Sequence, residues 1–233
     1  MRVVITGASR GIGRAIALAC AKSGATVGVN FHRTEPEPID GAMPLRFDVA
    51  DPHAVEESMQ TFIEQHGGID VLVNNAGVNL PALLASASDS DIDAMIRTNL
   101  HGTIYCTRAV IPAMLRQRGG VIINMSSVAA ERPFRGQAVY AATKGAIESF
   151  TRAIAVEYGR KGIRSHCIRP GPVDTDMFAA TKAVAGDEVL SRIPLRRYST
   201  TDDVAKLALF LMSDDASGIT GAIHTVDGGF TAG

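Results

Sequence analysis

The sequence predicts a doubly wound parallel α/β fold. Three observations carry the prediction: short apolar runs that are nearly continuous, longer stretches of helical apolar spacing between them, and a glycine cluster directly after the first run. A strand covered on both faces needs apolar side chains at almost every position, whereas one with a wet face alternates. Helical stretches between such strands act as right-handed crossovers and place helices on both faces of a parallel sheet.

In order, the first strand is read over residues 3–6, with helical spacing from 14 to 23 behind it. Further strands are read over 26–31, 45–48, 71–74, 121–125 and 164–168, and a short last one over 222–226 completes the sheet. Only residues 32–44 separate the second and third strands, and they carry three prolines and a glycine. That connection is expected to be shortened, without a full crossover helix.

The 233 residues, 46% hydrophobic, carry no linker, repeat or low-complexity tract, so one domain over 1–233 is expected. A formal charge of -1 with scattered Lys and Arg provides no global field for nucleic acid or a membrane surface. No apolar run approaches the roughly 20 residues that span a bilayer, and the first strand begins without a leader-like segment. A cytoplasmic protein is expected. Cys20, Cys106 and Cys167 are far apart and odd in number, which fits neither a disulfide framework nor a metal site. With the six histidines they form no ligand cluster, and no metal is expected.

The glycine cluster reads Thr6-Gly7-Ala8-Ser9-Arg10-Gly11-Ile12-Gly13. Glycines allow a sharp turn and close backbone approach to a pyrophosphate, and the following helix offers unpaired N–H groups to the anion. On its own the cluster also fits any tight strand-to-helix turn, but its place between a strand and a helix favours the cofactor reading. A second set begins at Tyr140-Ala141-Ala142-Thr143-Lys144, where helical spacing puts Tyr140 and Lys144 on one face, a turn apart. An ammonium near a phenol stabilises phenolate and is expected to lower its pKa from about 10. The pair then suits proton exchange with a carbonyl or alcohol oxygen.

The glycine spacing and the YxxxK pair resemble those of the short-chain dehydrogenase/reductase family, with its Rossmann-type fold. The motifs run in the family's order from the first strand to Asp227-Gly228-Gly229. The resemblance implies that Tyr140 exchanges the proton, Lys144 supports it, Ser127 binds the carbonyl oxygen and Asn99 helps hold a water connected to the lysine. Ser127 is preferred to Ser126 because of its interval to the tyrosine; Ser126 is expected to satisfy backbone groups. The cofactor is expected to touch Gly7, Ser9, Arg10, Gly11, Ile12 and Gly13, then Asp48 and Val49, then Asn75, Ala76 and Gly77. Tyr140 and Lys144, with Pro170, Gly171, Val173 and Thr175, are expected around the nicotinamide.

Phe31 stands where an acidic residue would accept from an adenosine ribose hydroxyl, and His32 and Arg33 follow it. With no carboxylate there, Arg33 and Arg10 suit a 2′-phosphate, so NADP(H) is the expected cofactor.

Within the family the chain is most similar to β-ketoacyl-acyl-carrier-protein reductases, through Gly136-Gln137-Ala138-Val139-Tyr140 and Asp174-Thr175-Asp176-Met177. This implies reduction of a 3-oxoacyl thioester, a homotetramer, and docking of an acyl carrier protein on Arg118 and Lys161 beside the active-site mouth. The alternative is a dehydrogenase or reductase of free sugars, small alcohols, steroids or ketones. A cofactor-binding regulator is disfavoured by the intact catalytic set. Glu131-Arg132-Pro133-Phe134-Arg135 departs from the reductase pattern, which is small and glycine-rich there. Either Phe134 narrows or lines a pocket and Arg132 and Arg135 recognise a carboxylate or phosphate, or the segment covers an oligomer surface. Residues 177–198 are expected to form a mobile lid.

Overall fold

A computed structural model describes the backbone of residues 1–233 and every side chain except those of Ala180, Thr181 and Val184. Seven strands form one sheet: β1 (Arg2–Ile5), β2 (Thr26–Phe31), β3 (Ala42–Arg46), β4 (Val71–Asn74), β5 (Gly120–Met125), β6 (Ile163–Pro170) and β7 (Ile223–Val226). Their order is β3-β2-β1-β4-β5-β6-β7, and every pairing is parallel. The helices are α1 (Gly11–Lys22), α2 (Pro52–His66), α3 (Asp89–Met95), α4 (Gly102–Gln117), α5 (Ala138–Tyr158), α6 (Asp176–Ser191) and α7 (Thr201–Met212).

The continuous apolar strands bury both faces. Val3, Ile5, Val71, Val73 and Ile123 pack with Ile16 of α1 and Leu211 of α7 on one side. Val4, Leu72 and Ile122 pack with Phe62 of α2, Met114 of α4 and Ile154 of α5 on the other. Phe62 is fully buried, and its truncation to alanine is expected to cost about 3–5 kcal/mol.

As anticipated, no helix intervenes between β2 and β3. The third strand starts three residues earlier than the sequence suggested and includes Pro44, opposite Val29. A proline is tolerated there because β3 is an edge strand. No helix among the described residues is long and apolar enough to cross a membrane.

The chain order reverses at β1, which has β2 on one side and β4 on the other. A crevice opens beyond the carboxyl ends of strands at such a point, which is where ligands bind in open α/β sheets. The glycine loop leaves β1 there, and the segments carrying Ser127 and Pro170 leave β5 and β6 at the same end.

Candidate active site

The glycine loop is shaped by what its residues lack. Gly7 and Gly11 hold φ of +62° and +58°, and a Cβ on Gly13 would lie 2.4 Å from Asn75 Nδ2 and 2.6 Å from the Gly7 carbonyl oxygen. Polar side chains fix the loop from below. Asn75 Nδ2 donates to the carbonyls of Thr6 and Gly7 at 2.9 Å each, and Thr6 Oγ1 accepts from the N–H groups of Asn75 and Ala76. Gly7 N–H donates to Asn30 Oδ1, while Asn30 Nδ2 donates to the carbonyls of Leu45 and Phe47. Asn75 is therefore spent on the loop itself. Thr6 and Asn30 were not anticipated; a polar residue inside an apolar strand run was the available signal, since buried polar groups must be paired.

No side chain caps the N-terminus of α1, whose N-cap is the extended Arg10. Its first-turn N–H groups stay available to an anion. Arg10 lies 3.5 Å from Asp176 with both side chains exposed, and Arg33 is exposed at the end of β2. His32 Nδ1 is 3.7 Å from Asp48 Oδ2, and Asp48 also accepts from the Ala50 N–H. Val49 is buried, with its side chain against Gly102 at the start of α4. A backbone cradle, an uncapped helix end and flanking arginines fit a dinucleotide carrying an extra phosphate.

Next to this loop is a cleft lined by Ile12, Ser127, Tyr140, Pro170, Gly171, Val173 and Thr175, all expected at the site. Asn79, Phe134, Gln137, Met177 and Phe178 line it too, with Ser126, Val128, Ala129 and Pro172 completing the wall. Phe134 thus lines the cleft, and its ring lies 5.8 Å from that of Phe230 near the C-terminus. Arg132 is not part of this wall and donates to the carbonyl of Gly233. The segment expected as a lid comprises α6 and the turns that connect it to α7, with non-helical backbone at Ala185. Within the segment, the Tyr198 hydroxyl donates to the Gly186 carbonyl and its ring packs edge-on against Phe178, so these contacts join the end of the segment to its helix.

Tyr140 and Lys144 occupy the first turns of α5, both buried. The expected depression of the phenol is corrected: burial raises the Tyr140 pKa, opposed by hydrogen bonding with Ser127. Burial pulls Lys144 down to about 8, and its Nζ lies 5.6 Å from the Tyr140 ring centroid. The lysine is aimed by the Met125 carbonyl, to which it donates at 2.8 Å.

Asn99 belongs to a π-helical turn over Ile96–His101 rather than to a regular helix. Its Oδ1 accepts from Val78 N–H, and its Nδ2 donates to the Val78 carbonyl and Thr143 Oγ1. Both amide hydrogens are used, so the side chain pins the segment after Gly77 to α5. The water-holding role expected of it would have to rest on the backbone or the remaining Oδ1 lone pair. Gly77 lies between: a Cβ there would be 3.3 Å from Asn99 Oδ1 and 3.5 Å from Lys144 Nζ.

Ser126 meets its expectation in part: its hydroxyl lies 3.3 Å from the Lys144 carbonyl, and it also donates to a carboxylate, Glu148 Oε1, at 2.8 Å. The geometry also revises the docking residues. Arg118 closes α4 just before β5, and Lys161 sits just before β6, with Gly162 against the Arg118 carbonyl. They share the amino end of the sheet, whereas Ser127 and Pro170 follow the carboxyl ends. Within one subunit they do not rim the cleft.

This combination of a parallel sheet, a glycine-shaped loop and a cleft lined by Ser127 and Tyr140 with Lys144 buried beside them defines a dinucleotide-dependent oxidoreductase of the short-chain type. The chain belongs to the short-chain dehydrogenase/reductase family, and residues 7–231 match the family model described as "Enoyl-(Acyl carrier protein) reductase". It is 38% identical over 235 residues to the 3-oxoacyl-[acyl-carrier-protein] reductase of Thermotoga maritima, covering 97% of this chain and 96% of that protein. Its identity to the protein of the same name from Chlamydia trachomatis is 41% over 238 residues, covering 97% and 95%. Among solved structures it is similar to a gluconate 5-dehydrogenase from Burkholderia cenocepacia in complex with NADP and tartrate. That likeness has a TM-score of 0.92 and 32% identity, covering 100% of this chain and 95% of the other.

Proposed function

We propose that this protein uses NADPH to reduce a ketone to a secondary alcohol, with a 3-oxoacyl thioester on an acyl carrier protein as substrate. The observation that carries the reading is the meeting of Ser127 and Tyr140 in one cleft with Ile12 of the glycine loop and Thr175 beyond β6. When bound, the cofactor supplies the hydride. Ser127 donates to the substrate oxygen and holds it beside Tyr140, which gives its proton as negative charge develops there. The Lys144 ammonium, aimed by the Met125 carbonyl, favours that transfer electrostatically. Gly7, Ser9, Gly11 and Gly13 hold the pyrophosphate through backbone; Arg10, His32 and Arg33 take the 2′-phosphate. Asp48, Val49 and Ala76 border the adenine half, and Lys144, Gly171, Val173 and Thr175 the nicotinamide half.

The thioester reading draws on the names of the curated relatives and on the apolar Phe134, Met177 and Phe178 along the cleft. A second reading, a free polyol or sugar acid, draws on the gluconate 5-dehydrogenase neighbour and on the amides of Asn79 and Gln137 in the same wall. Carrier docking on Arg118 and Lys161 belongs to the thioester reading only if the protein is a tetramer whose neighbouring subunits bring those residues to another cleft.

The deciding measurement is oxidation of NADPH and of NADH with acetoacetyl thioester, crotonyl thioester, free ketones and keto-sugar acids. The proposal expects acetoacetyl thioester with NADPH to give the highest kcat/KM. A higher value for a free keto acid would transfer the assignment to the second reading, and turnover confined to crotonyl thioester would refute carbonyl reduction.

A further inference from the structure

The reacting groups and the cleft wall stand on three separate segments: Ser127 after β5, Tyr140 and Lys144 on α5, and the loop that begins at Gly171 after β6. One guanidinium joins all three. Arg169, the residue before Pro170, sets Nε on Glu148 Oε1 and Nη2 on Glu148 Oε2, each at 2.8 Å. Glu148 lies one turn beyond Lys144 on α5, and its Oε1 also accepts from Ser126, the neighbour of Ser127. The remaining Nη1 of Arg169 reaches Glu131, just past the short turn that Ser127 caps. The Arg169 and Glu148 side chains are only 16% and 9% exposed, and neither lines the cleft.

A buried ion pair adds little stability over an apolar pair of similar size, because desolvation offsets the attraction. What the planar fork supplies is direction: two parallel bonds fix both distance and angle between the elements they join. Ser126 transmits that constraint to Ser127, and the helix transmits it to Tyr140. We propose that Arg169 and Glu148 are a positioning pair that holds the Ser127 hydroxyl in register with the Tyr140 phenol, with Glu131 tethering the segment between them. This also gives the unusual segment 131–135 a role at its first residue.

The proposal rests on Ser127 and Tyr140 being the reacting groups. Its test compares full-length wild type with Arg169→Met, Glu148→Gln, Glu131→Gln and the double variant Glu148→Leu/Arg169→Met. For each, Tm, NADPH affinity by cofactor fluorescence, and kcat and KM with acetoacetyl thioester are measured. Arg169→Met should lower both Tm and kcat, because it strands a buried carboxylate. The double variant should recover Tm but remain about 10- to 100-fold down in kcat, with NADPH affinity little changed, since misplacing reacting groups by about 1 Å is that costly. Glu131→Gln, at the exposed end, should fold normally and lose about threefold in kcat. Recovery of kcat together with Tm in the double variant would overturn the proposal. So would wild-type kcat in Glu148→Gln. If the single variants fail to fold, the double variant decides alone, since it contains no stranded charge.

If wild type reduces no ketone or thioester, the proposed function fails and the pair is judged spectroscopically. Ultraviolet titration, differenced against Tyr140→Phe, follows the phenol. Its midpoint should rise in the double variant as the Ser127 contact loosens, and an unmoved midpoint would overturn the positioning role.

Discussion

The two halves of the cleft use their polar side chains in opposite ways. Under the glycine loop, Thr6, Asn30 and Asn75 turn onto backbone groups, and the N–H donors of the uncapped N-terminus of α1 are left free. Around Tyr140, the side chains of Ser127 and Tyr140 line the cleft, Lys144 is buried beside them on the Met125 carbonyl, and the supporting side chains bond one another: Ser126 to Glu148, Glu148 to Arg169, Asn99 to Thr143. A phosphate can be held by backbone once side chains are cleared away, whereas a carbonyl oxygen needs a proton delivered by a particular group. Cofactor binding and chemistry should therefore be separable by mutation.

The largest effect is expected at Tyr140. Tyr140→Phe should cut kcat by about 10³-fold or more while NADPH affinity, read by fluorescence titration, moves little. Substantial ketone reduction by this variant would break the comparison at its centre. The converse change is Gly13→Ala, whose Cβ must displace Asn75 or the Gly7 carbonyl. Overpacking of this kind costs about 1–3 kcal/mol, so NADPH Kd should rise about tenfold to a hundredfold. Single-turnover hydride transfer at saturating NADPH should be largely retained, and its collapse would show that the halves are not independent.

A smaller effect concerns pH. Burial holds Lys144 near 8, below its ordinary value, so the ammonium is present at lower pH and is lost as pH rises through about 8. For ketone reduction, kcat/KM should decline above that point, since this parameter reports groups of the free enzyme. The residual activity of Lys144→Met should lack the decline. A flat wild-type profile from pH 7 to pH 9 would contradict that role of the lysine.

Much of the fold was legible because strands covered on both faces leave nearly continuous apolar runs, and the missing helix between β2 and β3 was written in Pro36, Pro38, Gly41 and Pro44. The site was legible where chemistry needs local spacing: Gly7, Gly11 and Gly13 in one turn, Tyr140 and Lys144 on one helical face. Long-range partners were not. Arg169 and Glu148 are separated by 21 positions on different elements, and only the crossover from α5 to β6 brings them together. Nor does residue type announce the π-helical turn at Asn99, because it depends on which carbonyl each N–H selects. The direction of the Tyr140 pKa was not legible either, because spacing reveals a neighbouring amine but not the burial that outweighs it.

Asn30 offers the finest test of the contrast, since it sits on β2, outside the cleft wall, and acts only through backbone. Its amide joins three segments: it accepts from Gly7 in the glycine loop and donates to Leu45 in β3 and Phe47 beyond it. Asn30→Ala strands those groups in a buried setting, which should cost about 1–3 kcal/mol of stability. The glycine loop then loses one of its restraints, and NADPH Kd should rise by about threefold to tenfold, because part of the loop's ordering must occur on binding. The kcat at saturating NADPH should stay near wild type, since Ser127, Tyr140 and Lys144 are tied to β5, β6 and α5 instead. A variant with weakened stability but unchanged NADPH affinity would reduce Asn30 to a strand-pairing residue and leave Thr6 and Asn75 as the loop's supports. A fall in kcat that saturating NADPH does not reverse would mean that strain crosses from β2 to α5.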